Sequence, residues 1–230
     1  MIPSTALQDT TALSGLPDTE QLPKLIREGV LPKFLSPERF AQPQMREAVT
    51  MDIADLHLAF YLPLAGLSDD TKTASILLTK KLIKRLDMTR QELYRLAVDH
   101  LALDAVVEPF ESVIASLLPF TVPEMRAMDD APPGDQRMPI CFVSNRQRFF
   151  GAAAILCPKT RALLEEQLGS PFLLLPSSVH EVLCLPADQS DREHAAWSDM
   201  VREINDTCLD PAERLSDHAY LCMEGALLPV

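Results

Sequence analysis

Glycine is scarce here, with seven residues in 230. Loops that cradle phosphate need closely spaced glycines, because only a residue without a Cβ lets backbone approach an anion so tightly. Neither G-x-x-x-x-G-K-[ST] nor G-x-G-x-x-G occurs. This excludes P-loop nucleotide hydrolysis and dinucleotide binding of the Rossmann kind. Long apolar runs are missing too. The longest, Leu56 to Leu64 and Phe172 to Pro176, fall well short of the ~18 residues of a membrane span. Met1 to Gly15 has no basic start followed by an apolar core, so no secretory signal is read and a cytoplasmic location is expected. Positive charge is in deficit, with 21 Lys and Arg against 33 Asp and Glu and a net charge of -12. General nucleic-acid binding rests on neutralising phosphate, so this balance argues against nucleic acid as a partner. Cysteine pairs at C-x-x-C spacing are absent. The five cysteines (Cys141, Cys157, Cys184, Cys208 and Cys222) all have apolar neighbours. They are expected to be buried free thiols in a reducing compartment, with no clustered ligand set for zinc.

What is present is ordinary for a globular protein: 47% hydrophobic and 23% charged residues. The length suits one domain or two small lobes. Pro3, Pro17, Pro23, Pro32, Pro37 and Pro43 interrupt every long helix in residues 1–45. That stretch is expected to be an arm against the body, with short helical turns near Asp18–Glu28 and Pro37–Phe40. Residues 46–130 and 136–230 are the two expected lobes, parted at the loop Asp129 to Asp135.

In the first lobe, Leu56, Leu58 and Phe60 alternate with His57, Ala59 and Tyr61, as on a strand. A turn at Ala65–Asp70, a return strand at Thr73–Thr79 and a basic helical turn at Lys80–Leu86 follow. Thr89 and Glu92 have capping-box spacing, opening a helix with Leu93, Leu96, Ala97 and Leu101 on one side. Val113 to Leu118 suggests another helix. In the second lobe, Ile140–Val143 and Gly151–Leu156 are expected as strands about a turn at Asn145–Arg148. Pro158 starts a helix that Gly169 ends. Phe172–Leu175 and Glu181–Leu185 pair around Pro176-Ser177-Ser178. Ser190 and Glu193 form a second capping box, before a helix with Trp197, Met200, Val201, Ile204 and Cys208 on its apolar side. Ala219–Met223 closes the sheet. The expected fold is α+β, antiparallel hairpins each followed by a helix packed on the sheet.

Several of these stretches carry a family resemblance. Asp55–Tyr61, Thr73–Thr79 and Glu92–Ala97 resemble an uncharacterised bacterial family, domain of unknown function 5688. So do Met138–Ile140 with Val143–Asn145, Gly151–Ala154, Leu175–Val182, Val201–Asn205 and Leu215–His218. The resemblance covers roughly residues 48–224 and implies an intracellular bacterial protein. It implies no reaction.

The densest chemistry lies within Leu175–Val182, where Ser177, Ser178, His180 and Glu181 occupy five positions. A hydroxyl, an imidazole and a carboxylate are the parts of an activated nucleophile. Yet adjacent residues on extended chain face opposite ways, no G-x-S-x-G surrounds either serine, and H-E-x-x-H fails at Cys184. The competing expectation is a turn whose serines satisfy backbone amides and whose histidine anchors a loop. Asp217 and His218 are the candidate binding residues, with a metal site conceivable only where His218 meets His180. Arg146, Arg148, Phe149 and Phe150 are expected to pack a hairpin. Lys80, Lys81, Lys84, Arg85, Arg90 and Arg95 gather on a helix–turn–helix-like stretch. Asp188 to Glu224 holds ten acids against three arginines. No cofactor and no metal is implied. The expected function is a non-catalytic protein-interaction module. The alternatives are a small hydrolase or metal-assisted enzyme centred on His180 and Glu181, and an acidic mobile-element defence or counter-defence factor. Oligomeric state stays open.

Overall fold

The computed structural model describes residues 21–64, 75–117, 138–187 and 191–230, with side chains omitted at 114–117 and 191–193. The expected turn at 65–70, the boundary loop at 129–135 and the Ser190 cap lie outside the described residues.

Two antiparallel sheets and their covering helices make an α+β fold. The first sheet is built on β3 (Leu56–Pro63). β1 (Leu31–Leu35) lines one edge of β3, pairing Leu31 with Tyr61 through Leu35 with His57. Along the other edge lie β2 (Thr50–Ile53), opposite Leu56–Ala59, and β4 (Ser75–Leu77), opposite Tyr61–Pro63. The stretch expected as an arm thus supplies an edge strand, where Pro32 removes no ladder bond that matters. It also supplies α1 (Leu22–Gly29) and α2 (Pro37–Phe40). Ile26, Val30 and Phe34 are fully buried.

After β4 come α3 (Lys80–Arg85) and α4 (Arg90–Leu101). Thr89 caps α4, its Oγ1 accepting the Glu92 amide at 3.1 Å. The inner side of α4 is Leu93, Ala97, Val98 and Leu101, with Leu96 only half-buried.

The second sheet has six strands in the order β10-β9-β7-β8-β6-β5. These are β5 (Ala105–Pro109), β6 (Cys141–Asn145), β7 (Phe172–Pro176), β8 (Val182–Pro186), β9 (Tyr220–Met223) and β10 (Ala226–Pro229). Its helices are α5 (Phe110–Leu117), α6 (Pro158–Leu168) and α7 (Asp191–Cys208). Pro158 opens α6 and Gly169, at φ 87°, follows its end. The largest apolar cluster runs through both sheets, from Phe34, Leu58 and Phe60 to Val143, Phe172 and Leu174.

Three expectations need correction. Gly151–Leu156 is a 3-10 helix rather than a strand, and all six residues are buried. An alanine-rich run has little β-preference and no alternation. At Gly151 it passes so close to β6 that an added Cβ would overlap Ser144 Oγ and Asn145 N. The cysteines split as well. Cys141, Cys157, Cys184 and Cys222 are buried, with the Cys157 thiol pushed up to about 11 and Cys222 to about 12, mainly by burial. Cys208, past the sheet at the end of α7, is exposed.

The third correction is to α7, which is rotated part-way: Val201 is buried and Trp197 packs against the core as expected, but the other stripe residues do not follow them. Its buried side is His194, Ser198, Val201 and Asn205, at offsets of zero, four, seven and eleven. Met200 and Ile204, expected inside, are each 45% exposed. Hydrogen bonds to distant chain hold the polar side inward. Ser198 Oγ accepts the Ala219 amide at 2.9 Å and donates to the Val230 carbonyl. Asn205 Nδ2 donates to the Ser216 carbonyl at 2.8 Å and to Asp217 Oδ1 at 2.7 Å.

Candidate functional site

The elbow between β7 and β8 closes on itself. The Ser178 amide donates to the Glu181 carbonyl at 3.1 Å. Ser177 and Ser178 hydroxyls both donate to Glu181 Oε1, at 3.2 and 2.7 Å, and Ser178 Oγ accepts the His180 amide at 3.0 Å. Ser178 is 3% exposed. Three of the four candidate side chains therefore meet, but as one carboxylate satisfying two hydroxyls over a tight turn. The His180 imidazole takes no part in this cluster and has its own partners.

His180 faces the loop after β6. Its Nδ1 accepts the Phe150 amide at 2.9 Å, which puts the ring proton on Nε2. Nε2 lies 3.7 Å from Glu213 Oε1. The ring stacks on Phe149, with centroids 5.3 Å apart, and leans on Phe150 at 5.1 Å. The His180 carbonyl accepts Ser144 Oγ at 2.8 Å, and the Val179 amide donates to the Glu213 carbonyl at 2.9 Å. A general base for Ser177 or Ser178 needs a free imidazole nitrogen within reach. Here Nδ1 is bound to backbone and neither hydroxyl points to it. The elbow pins the 149–151 loop and the 213 segment to the sheet.

Lys33 and Arg39, which the sequence did not single out, complete this corner. Lys33 Nζ lies 4.5 Å from the Phe150 ring centre, 4.7 Å from Tyr61 and 5.8 Å from Phe149. Arg39 Nε donates to the Ala212 carbonyl at 3.3 Å. Burial, and then the Arg39 charge, lowers the Lys33 amine to about 8. A lysine lowered from 10.5 opposes folding while it is protonated. The full penalty applies below about pH 8. It fades as pH rises toward 10.5, where the unfolded chain also loses the proton. The ring faces offset part of it. Lys33→Met is expected to stabilise the protein at pH 6 to 7 by about 1–3 kcal/mol. Urea unfolding as a function of pH measures this; a gain that persists unchanged above pH 10.5 would contradict the cause given.

The second candidate pair sits apart from the elbow. His218 Nε2 is 2.8 Å from Asp55 Oδ2, and Tyr220 donates its hydroxyl to Asp55 Oδ1 at 2.8 Å. Asp55 lies in the β2–β3 turn, so this cluster ties the first sheet to the second. Burial raises the Asp55 carboxyl, but hydrogen bonds from Tyr220 and His218 outweigh it and leave the group below its ordinary value. Asp55, Arg214, Ser216, Asp217 and His218 line a cleft of about 390 Å³. His180 and His218 have separate partners. Among the described residues, no three of His, Cys, Asp or Glu converge as a metal cage would need.

This sequence order, from β1 to β9, matches the model of a family described as a family of unknown function (DUF5688) over residues 30–222. The chain belongs to that family. No curated protein and no solved structure matches it. None of the described helices is long and apolar enough to cross a membrane. Membership assigns no reaction to the elbow, so its chemistry rests on the contacts above.

Proposed function

We propose that the chain is a non-catalytic protein-interaction module of the bacterial cytoplasm, which docks a basic protein partner on the outer face of α7. One observation carries this reading. Met200 and Ile204, the outer edge of the α7 apolar stripe, are each 45% exposed beside the half-buried Trp197, while Val201 of the same stripe is buried. Exposed large side chains at three- and four-residue spacing are the form in which helix surfaces offer anchors to a partner. Asp199, Glu203 and Asp206 border the stripe, and residues 199–217 hold six carboxylates against two arginines. A second copy would bring like charges together, whereas a basic surface meets complementary ones. The elbow supports the same reading, because its hydroxyls and imidazole are occupied in holding loops.

The test is affinity capture from the host with the wild-type chain and a Met200→Glu, Ile204→Glu variant. The expected result is a reproducible basic partner that is released by salt and not retained by the variant. Equal capture by the variant, or no reproducible partner, would overturn the proposal.

A further inference from the structure

A cleft of about 490 Å³ lies on the first sheet, far in character from the acidic α7 face. Its floor is apolar, built by Val49, Ile83 and Met88, all at least nine-tenths buried. Its rim carries Lys80, Lys84 and Arg90, with Asp87 the one carboxylate among the described lining residues.

The local fold explains why these cations converge. α3 ends in a left-handed corner at Asp87, φ 51°, where the Met88 amide donates to the Ile83 carbonyl and the Asp87 amide to the Lys84 carbonyl. That corner turns the chain so that Lys80 and Lys84, one helical turn apart, face Arg90 at the start of α4. Backbone contacts fix two of the three. Lys80 Nζ donates to the Arg46 carbonyl at 2.8 Å, and Arg90 reaches the Thr50 carbonyl at 3.4 Å. None of the ion pairs among the described residues involves Lys80, Lys84 or Arg90. In a chain of net charge -12, three cations around one cleft without a carboxylate partner in these pairs form an arrangement in want of an anion.

We propose that this cleft binds a small phosphate-bearing molecule with an apolar or aromatic body. Lys80, Lys84 and Arg90 take the phosphate oxygens, and the Val49–Ile83–Met88 floor takes the body. Asp87 on the rim accepts a hydroxyl or amine of the ligand. The volume suits a nucleotide-sized molecule. Nucleic acid offers the same phosphates, but a long backbone must also lie along a strongly negative protein, and Lys81 and Arg85 lie outside the cleft lining.

Titration calorimetry of the full chain separates these cases with three probes: pyrophosphate, adenosine triphosphate without metal, and a short DNA duplex. Both small phosphates are expected to bind, the triphosphate more tightly because its base meets the floor. A Lys84→Glu, Arg90→Glu variant is expected to lose at least about tenfold in affinity while the melting temperature of the free protein holds. Should that variant misfold, Lys84→Gln with Arg90→Gln serves, with the same expected loss. Absence of binding by both small probes at ~1 mM, unchanged affinity in a folded variant, or tighter binding of the duplex would each overturn the proposal.

Discussion

Gly151→Ala is expected to destabilise the protein by about 3 kcal/mol or more, at the upper end of what overpacking does. The added Cβ would overlap Ser144 Oγ and Asn145 N and come within 2.9 Å of the His180 carbonyl. Two of these three neighbours are backbone, so neither rotates away. The conflict falls where β6, the buried 3-10 helix and the elbow meet. Relief requires moving His180, whose carbonyl also holds Ser144 Oγ at 2.8 Å. Chemical unfolding of the variant measures the loss. A cost under about 1 kcal/mol, within the ordinary range for single substitutions, would show that this junction is looser than described.

His180→Ala is expected to cost about 2–4 kcal/mol, through an unsatisfied Phe150 amide and lost contact with two rings. Phe150 is 7% exposed and sits at φ 52°, a conformation that needs support from its surroundings. His180→Asn offers an acceptor close to the position of Nδ1 and is expected to recover part of the loss. The distinction matters for function. Replacing a catalytic residue commonly leaves stability unchanged or improved, because active sites are built against the interests of the fold. A stable His180→Ala protein would therefore return the elbow to consideration as an active site.

Local pattern made the second half of the fold legible. Pro158 and Gly169 bracket α6, and Phe172–Leu175 with Glu181–Leu185 reads as a hairpin because short-range chemistry sets both. The α+β class followed from the same signals. The Ser177–Ser178 turn was legible only in part: Ser178 Oγ accepts the His180 amide in the expected way, but both hydroxyls donate to the Glu181 carboxylate, which the pattern did not indicate. Gly151–Leu156 was not, because an apolar run without alternation fits a buried strand or a buried helix equally well. Periodicity placed Val201 inside correctly, but not which edge of the α7 stripe turns outward. That choice depends on Ser198 and Asn205 finding Ala219, Val230, Ser216 and Asp217, which lie 11 to 32 residues away.

The corner around His180 shows the same limit. Its ring is held by Phe150, 30 positions back, and Lys33 reaches Phe150 from the first sheet. Asp55 and Tyr220 are 165 positions apart. No spacing rule joins such residues; the topology does.

The outward placement of Met200 and Ile204 on α7 is the central claim, and thermal and urea unfolding of the Met200→Glu, Ile204→Glu variant tests it most directly. Residues facing water contribute little to the fold, so the variant is expected to match the wild type to within about 1 kcal/mol. A loss of several kcal/mol, the cost of placing two carboxylates in a core, would show that these two side chains are buried after all and remove the docking surface with them.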